Sequence, residues 1–313
     1  MRDYSRNYNI SLLDHKKASN PFWKIIFSFI LLVIILVVLF YNRKQNKNIT
    51  SNNTNINQVN SISKTALIDS IEKVISQNTG TYSVYIYDIK NNVEIGIREK
   101  TIYTAASVNK IPILASLYFL ASQGKIDLDK KITPQPKDIQ DYGTGSMRYD
   151  PTGTSYSLKT IARLMMEKSD NTAAYLLGTI IIGMDEIQKM AENWGLTQTD
   201  MVNNKTSNYD ISRLLIKMYR GEIASKAQTL EMLDFMRTSD IEDRLPAGLP
   251  EGTKIYHKTG DEVGIIHDAG IIELQDKPYY IGIFTTDITD QENTKKNMGT
   301  VSKLVYEYMK KSL

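Results

Sequence analysis

The sequence predicts an α+β fold, an antiparallel sheet flanked by helices with an all-helical lobe beside it. Three observations carry this. An alternating hairpin stands early in the folded part, three further strand-like runs stand late, and the stretch between them is mostly written in helical periodicity. Helical runs also close both ends of that part, which covers residues 64–313 and is long enough for one bilobed domain.

Taken in order, residues 64–77 place Leu67, Ile68, Ile71 and Ile75 at helical spacing. Residues 82–88 alternate, Asn91 and Asn92 supply a turn, and residues 93–98 alternate again, which reads as a hairpin. A helix follows from Ser107 to about Gly124. Residues 133–155 are rich in Gly, Pro and Asp and read as loop. Helices are expected at 157–168, 171–182, 184–194, 209–219 and 227–236. The late strands are expected at 254–259, 265–274 and 279–286, with a final helix over 292–311. No internal repeat is present.

Ahead of this domain, residues 1–21 are polar and basic. Residues 22–41 are predominantly apolar with a single charge, Lys24, carry aromatics at both ends, and have the length needed to cross a bilayer. The run exits into Tyr41-Asn-Arg-Lys44 rather than a small-residue cleavage site, which favours an uncleaved anchor. Residues 42–63 hold few large apolar groups and read as a flexible tether. The expectation is a single-pass protein of the cell membrane. Its residues 1–21 would form a cytoplasmic tail and its folded domain would lie outside.

Composition narrows the chemistry. The formal net charge is +3 with basic residues dispersed, so nucleic acid is not an expected partner. With no cysteine, thiolate catalysis and disulfides are excluded. The three histidines are too few for a histidine-built zinc site, and no cofactor or metal is expected.

Ser107 and Lys110 open the first helix after the hairpin and share a face. A lysine that has lost its proton can take the hydroxyl proton of serine, which makes the pair a candidate nucleophile and base. Alone, Ser-x-x-Lys is most often a capping residue and a solvated face. Ser169-Asp170-Asn171 opens a later helix, and alone it reads as an N-cap. His257-Lys258-Thr259-Gly260 ends a strand, and alone it reads as an edge strand running into a glycine turn.

The three motifs in this order resemble those of the penicilloyl-serine transferases, the group of serine β-lactamases and penicillin-binding D,D-peptidases. The flanks are similar to class A β-lactamases: Thr172-Ala-Ala after the second motif, Leu245-Pro-Ala-Gly248 before the third, and Gly270-Ile-Ile after it. The resemblance covers nearly all of residues 64–313 and implies a β-lactamase/transpeptidase-like fold.

It also implies roles. Ser107 would attack the carbonyl of a β-lactam or acyl-D-Ala-D-Ala substrate and Lys110 would accept its proton. Ser169 would relay a proton to the leaving nitrogen, and Asn171 would bind the substrate amide. Lys258 and Thr259 would contact a substrate carboxylate and support Ser169. The backbone N–H groups of Ser107 and of Asp261, next to Gly260, would form the oxyanion hole. Two lysines near one hydroxyl repel each other, which makes a neutral amine accessible.

The chain also departs from that family. The segment 194–210 is short and holds no Glu to activate a deacylating water, only Asp200 and Asp210. Asp210 reads as a helix-entry residue, and Asp200 is too short a side chain to substitute well. Slow deacylation is therefore expected, since losing a positioned base costs about 10²–10⁴ in rate. The strand after Gly264 carries His267, next to Asp268, where many relatives carry a carboxylate-binding arginine. A structural role for His267 is the simpler expectation. Asp261 sets a negative charge beside a site meant for a carboxylate. Tyr142 and Tyr149, in the loop before the second motif, are surface tyrosines of which one could stack on substrate.

Four functions compete on these grounds: a membrane-anchored class A β-lactamase-like hydrolase, a cell-wall D,D-peptidase, a β-lactam-binding sensor that stays acylated, and a purely structural descendant. The missing Glu and the anchor favour the peptidase. The short tail argues against the sensor, and the intact motifs argue against the structural descendant.

Overall fold

A computed structural model describes residues 32–41, 43, 64–275 and 277–311. Residues 63–313 form one compact unit. Of the expected anchor, residues 32–41 are helical and exposed, while residues 22–31 lie outside the described residues, as do the tail and, apart from residue 43, the tether. Among the described residues no helix is long and apolar enough to cross a membrane.

The folded unit is built on a five-stranded antiparallel sheet in the order β2-β1-β9-β8-β7. β1 (Thr81–Asp88) and β2 (Val93–Ile97) are the early hairpin. β7 (Lys254–Glu262), β8 (Ile265–Glu273) and β9 (Tyr279–Thr286) are the late strands. Asn92 closes the first hairpin with φ of 55°, a left-handed conformation that Asn tolerates, while Asp88 Oδ1 accepts from the N–H groups of Lys90 and Asn91.

Strand alternation sends the side chains to two cores. Tyr82, Val84, Ile86, Tyr279, Ile281 and Ile283 face α1 (residues 64–75) and α8 (Gln291–Lys311). Tyr85, Ala269, Ile271, Tyr280 and Phe284 face the helical lobe. That lobe comprises α2 (Lys110–Ser122), α3 (Leu158–Glu167), α4 (Asn171–Tyr175), α5 (Met184–Asn193), α6 (Asn208–Tyr219) and α7 (Lys226–Arg237). α6 sits directly on the sheet at Gly282: a Cβ there would lie 2.1 Å from Asn208 Oδ1, and Asn208 Nδ2 donates to the Gly282 carbonyl at 2.8 Å. Glycine is what lets the helix start come this close.

The expected architecture and helix order hold, with four differences. Ser107 is not in the α-helix. It lies in a 3-10 turn, Ala106–Asn109, that feeds α2. The helix after α4 is widened into a π-helical segment over Leu176–Ile182, where Gly183 N–H donates to the Gly178 carbonyl. β7 does not stop at Thr259. Gly260, Asp261 and Glu262 continue its ladder with β8, and the turn comes at Val263 and Gly264. Four short strands were also not anticipated: β3 (Ile102–Thr104) pairs with β6 (Lys205–Ser207), and β4 (Lys131–Ile132) pairs with β5 (Tyr156–Ser157). Runs of two and three residues carry too little alternation to be read.

Behind the sheet, the fully buried His257 meets Asp268 (Nδ1 to Oδ1, 2.8 Å) and, more distantly, Glu242 (3.5 Å). Burial alone would lower the histidine pKa, but Asp268 and Glu242 outweigh it and raise it from 6.5 to about 9. A raised histidine stabilises the fold fully below pH 6.5, and that contribution is lost as pH rises through 9. Unfolding free energies of wild type and His257→Gln, measured from pH 6 to 9.5, should converge by an amount on the order of 3 kcal/mol as pH rises. Parallel curves would disprove the pairing.

Candidate active site

Three separate segments meet at one serine hydroxyl, Ser169 Oγ. Lys110, in the first turn of α2 and 3% exposed, donates to Ser107 Oγ (3.0 Å), Ser169 O (2.6 Å), Ser169 Oγ (3.2 Å) and Asn171 Oδ1 (2.8 Å). Lys258, from β7, donates to the same Ser169 Oγ at 3.0 Å. Ser107, Lys110, Ser169 and Lys258 are thus joined by consecutive hydrogen bonds. Ser169 Oγ bridges the two amines.

The electrostatics suit proton transfer. The Lys110 pKa lies well below that of an ordinary lysine, first because the amine is buried and second because Lys258 repels its charge, against an opposing pull from Asp170. The Lys258 pKa is lowered to about 8, again chiefly by burial, with Asp268 and Asp261 pulling the other way and Arg244 adding to the decrease. Repulsion between the lysines, the effect the sequence suggested, is real for Lys110 but second to desolvation. Among the described residues no carboxylate accepts from Lys110. A neutral amine surrounded by hydroxyl and carbonyl oxygens can accept the Ser107 proton.

Backbone strain helps to hold these groups. Ala106 (φ 47°) and Ser169 (φ 50°) are non-glycine residues in the left-handed region, one immediately before Ser107 and the other the bridging serine itself. Such conformations cost about 1–3 kcal/mol each and persist only where their surroundings enforce them. For Ser169 the enforcement is visible: its carbonyl accepts from both Lys110 Nζ and Thr144 Oγ1. The N-cap expected in this motif falls on Asp170. Its carboxylate accepts from Ala173 N–H and also from the N–H groups of Ser146 and Met147, which pins the loop over the site.

Asn171 offers Oδ1 to Lys110 and donates Nδ2 to the Tyr142 carbonyl at 3.1 Å. Thr259 is buried beside Lys258, on the Ser169 side of the cleft. Gly260 lies directly behind Ser107. A Cβ built on it would be 3.2 Å from both Ser107 N and Ala105 O. Ser107, Lys110, Asn171, Tyr142, Asp261 and Glu262 line a cleft of about 520 Å³, next to one of about 320 Å³ lined by Ser169, Lys258 and Thr259. Tyr142 therefore stands at the mouth of the cleft. Tyr149 does not: it is exposed, under the Arg148 guanidinium.

His267 is structural. Nδ1 accepts from Thr285 N–H at 3.1 Å, Nε2 donates to the Thr104 carbonyl at 2.8 Å, and the ring stacks on Phe284 at 4.5 Å. Burial lowers its pKa to about 4, so it is neutral and cannot bind an anion as a cation.

Neither aspartate of the 194–210 segment lines the cleft. Asp200 accepts from Asn203 N–H and Nδ2. Asp210, fully buried in the first turn of α6, accepts from Gln198 N–H and Thr199 Oγ1. Two features of the site had no sequence signal. Asn204, with φ of 53°, accepts from Asn109 Nδ2 at 2.7 Å and lines the cleft. Arg244, in an acidic run that reads as solvated surface, is 2% exposed and reaches Asp261 and the His267 carbonyl.

A serine hydroxyl bonded to a buried lysine whose pKa is lowered, with a second serine bridging to another lysine, is an arrangement suited to a serine hydrolase. Residues 66–309 match the model of the β-lactamase enzyme family, and the chain belongs to that family. It is 22% identical over 264 residues to β-lactamase VEB-1 of Pseudomonas aeruginosa (76% of this chain, 88% of that one) and 23% identical over 272 residues to the extended-spectrum β-lactamase PER-1 of the same organism (79% and 88%). Among solved structures, PBP-A superposes with a TM-score of 0.74 at 28% identity, covering 79% of this chain and 97% of that one. The TLA-1 extended-spectrum β-lactamase superposes at 0.73 with 23% identity (79% and 99%).

Because Gly260 backs onto Ser107 N–H, Gly260→Ala should push the nucleophile turn away from β7. Acylation should slow by about 10²-fold, the loss expected when an oxyanion donor is misplaced. Stopped-flow acylation with a chromogenic β-lactam checks this, and an unchanged rate would mean that the two backbones are not in contact.

Proposed function

We propose that this chain opens a β-lactam amide through Ser107 and then releases the acyl group slowly. The observation that carries the proposal is the hydrogen-bonded series from Ser107 through Lys110 and Ser169 to Lys258. Ser107 Oγ attacks the amide carbonyl carbon while Lys110 Nζ takes the hydroxyl proton. The developing oxyanion lies toward the N–H groups of Ser107 and Asp261. The C–N bond then breaks, Ser169 hands its proton to the leaving nitrogen, and Lys110 restores it. What remains is an ester on Ser107.

Hydrolysis of that ester needs a water held by a base. The 194–210 segment offers no carboxylate in the cleft, since Asp200 and Asp210 are engaged within the segment itself. This supports slow deacylation. It equally supports the second reading, a D,D-peptidase acting on cell-wall peptide, as does the 28% identity to PBP-A. A PBP-A variant is known as an acyl-enzyme complex with penicillin G. We further propose that residues 22–41 anchor the domain at the outer side of the cell membrane on the tether 42–63.

Intact mass spectrometry of the full chain mixed with benzylpenicillin tests the acylation step. One adduct per chain is expected within seconds, persisting for minutes or longer and absent from Ser107→Ala. Turnover faster than once per second would remove the slow-deacylation reading, and the absence of any adduct would remove the hydrolase reading. Release of D-Ala from a D-Ala-D-Ala peptide would favour the peptidase.

A further inference from the structure

The larger cleft continues past the reacting groups. Beyond Ser107 and Asn171 it is lined by Ile113 on α2, Ala174 and Tyr175 on α4, Thr179 in the π-helical segment and Met184 at the start of α5. Ile113 follows Ser107 by six residues. At 1.5–2.0 Å per residue that places it about 9–12 Å further along the chain axis. Of the 194–210 segment only Asn204 reaches the cleft, and it is tied to Asn109 near the Ser107 end. The short segment therefore leaves the Ile113–Met184 end uncovered. The acidic and basic residues that line the cleft, Lys110, Asp261 and Glu262, stand on the first turn of α2 and on β7. None belongs to the Ile113–Met184 end.

The construction of that end plays no part in acylation. Leu176–Ile182 is π-helical, with the Gly183 N–H bonded to the Gly178 carbonyl, and such segments are rare and cluster at functional sites. Its glycine is required by a close approach. A Cβ on Gly178 would lie 3.1 Å from Ile113 Cδ1 and 3.2 Å from Met184 Sδ. Ile113 and Met184 thus pack onto the backbone at Gly178 and give this end an apolar floor, in which the flexible thioether can adapt to what lies on it.

We propose that this hollow is the subsite for the acyl side chain of the substrate and that it takes an uncharged aromatic group. The inference rests on the acyl-enzyme reading above and specifies its substrate class. Continuity names the occupant. The acyl carbon becomes bonded to Ser107 Oγ, so the group it carries lies along the cleft that runs on from Ser107. An aromatic ring gains by leaving water for such a floor, whereas a charged group would lose its hydration with no counter-charge. Ala174, Thr179 and Met184 set the width of the hollow and so the size of the ring it accepts.

The probes are benzylpenicillin and 6-acetamidopenicillanic acid, which keeps the amide and the leaving side and lacks only the phenyl ring. Acylation rates with the full chain are followed by intact mass. Benzylpenicillin should acylate wild type faster by about fivefold or more, the gain expected from burying most of a phenyl ring. Ala174→Leu and Thr179→Trp each fill the hollow and should lower that ratio by about threefold or more. Thr179 is exposed, so its variant decides the matter even if Ala174→Leu fails to fold. A wild-type preference below about fivefold overturns the proposal. So does a Thr179→Trp ratio that falls by less than about threefold, because the ring then lies elsewhere, and so does an equal change in both rates, which marks a merely structural role. If neither probe labels wild type, the hydrolase reading fails and this inference falls with it. Labelling by both probes at equal rates leaves the hydrolase reading intact and removes only the subsite.

Discussion

The structure is organised around one amine kept out of water without a carboxylate to neutralise it. A lysine normally meets burial by pairing with an acid or by losing its proton. Lys110 is given only hydroxyl, carbonyl and amide oxygens, from Ser107, Ser169 and Asn171. The carboxylate of Asp170, which pulls on the Lys110 charge, spends its oxygens on three backbone N–H groups. That separation matters chemically. An ion pair would fix the proton on Lys110 and leave Ser107 an ordinary alcohol.

The fold follows from supplying this environment. The amine comes from the first turn of a helix buried on nearly every side, α2, whose residues from Lys110 to Tyr118 are all buried. Its partners come from the start of α4, and the second amine comes from the edge strand β7. A helix held in the lobe core and a strand held in the sheet cannot shift relative to each other without opening both cores. The two left-handed residues, Ala106 and Ser169, sit where the chain must turn sharply to present Ser107 and to bring the Ser169 carbonyl onto Lys110. Packing of the surrounding cores offsets that strain.

Much of this was legible in the sequence because three short motifs are local: each places its side chains by helix or strand geometry alone. Ser107 and Lys110 are three residues apart on one turn, Asp170 caps the helix it precedes, and Lys258 lies in an alternating strand. What was not legible depended on long-range partners. Arg244 lies among Asp240, Glu242 and Asp243, a pattern that on sequence alone means solvent. Only the closure of the sheet shows that its guanidinium is turned inward to Asp261 and the His267 carbonyl. A structural role for His267 was the simpler expectation, but its partners, the Thr104 carbonyl from β3 and the Thr285 N–H from β9, are set only by the sheet. The extension of β7 through Glu262 was hidden by Gly260, which reads as a turn but in fact lets the strand press against the nucleophile.

The short 194–210 segment shows how stability and turnover compete for the same side chains. A compact loop of this kind must satisfy its own backbone, and Asp200 and Asp210 do that: one closes the turn at 200–205, and the other ties Gln198 and Thr199 to the start of α6. A carboxylate occupied in this way is displaced from the cleft, so the loop cannot use the same group to hold itself together and to hold a water over an ester. Burial also raises the Asp210 pKa, but without aiming the group at substrate a raised pKa does nothing for catalysis. Under the proposed acyl-enzyme reading, any carboxylate that holds the deacylating water has to come from outside this segment.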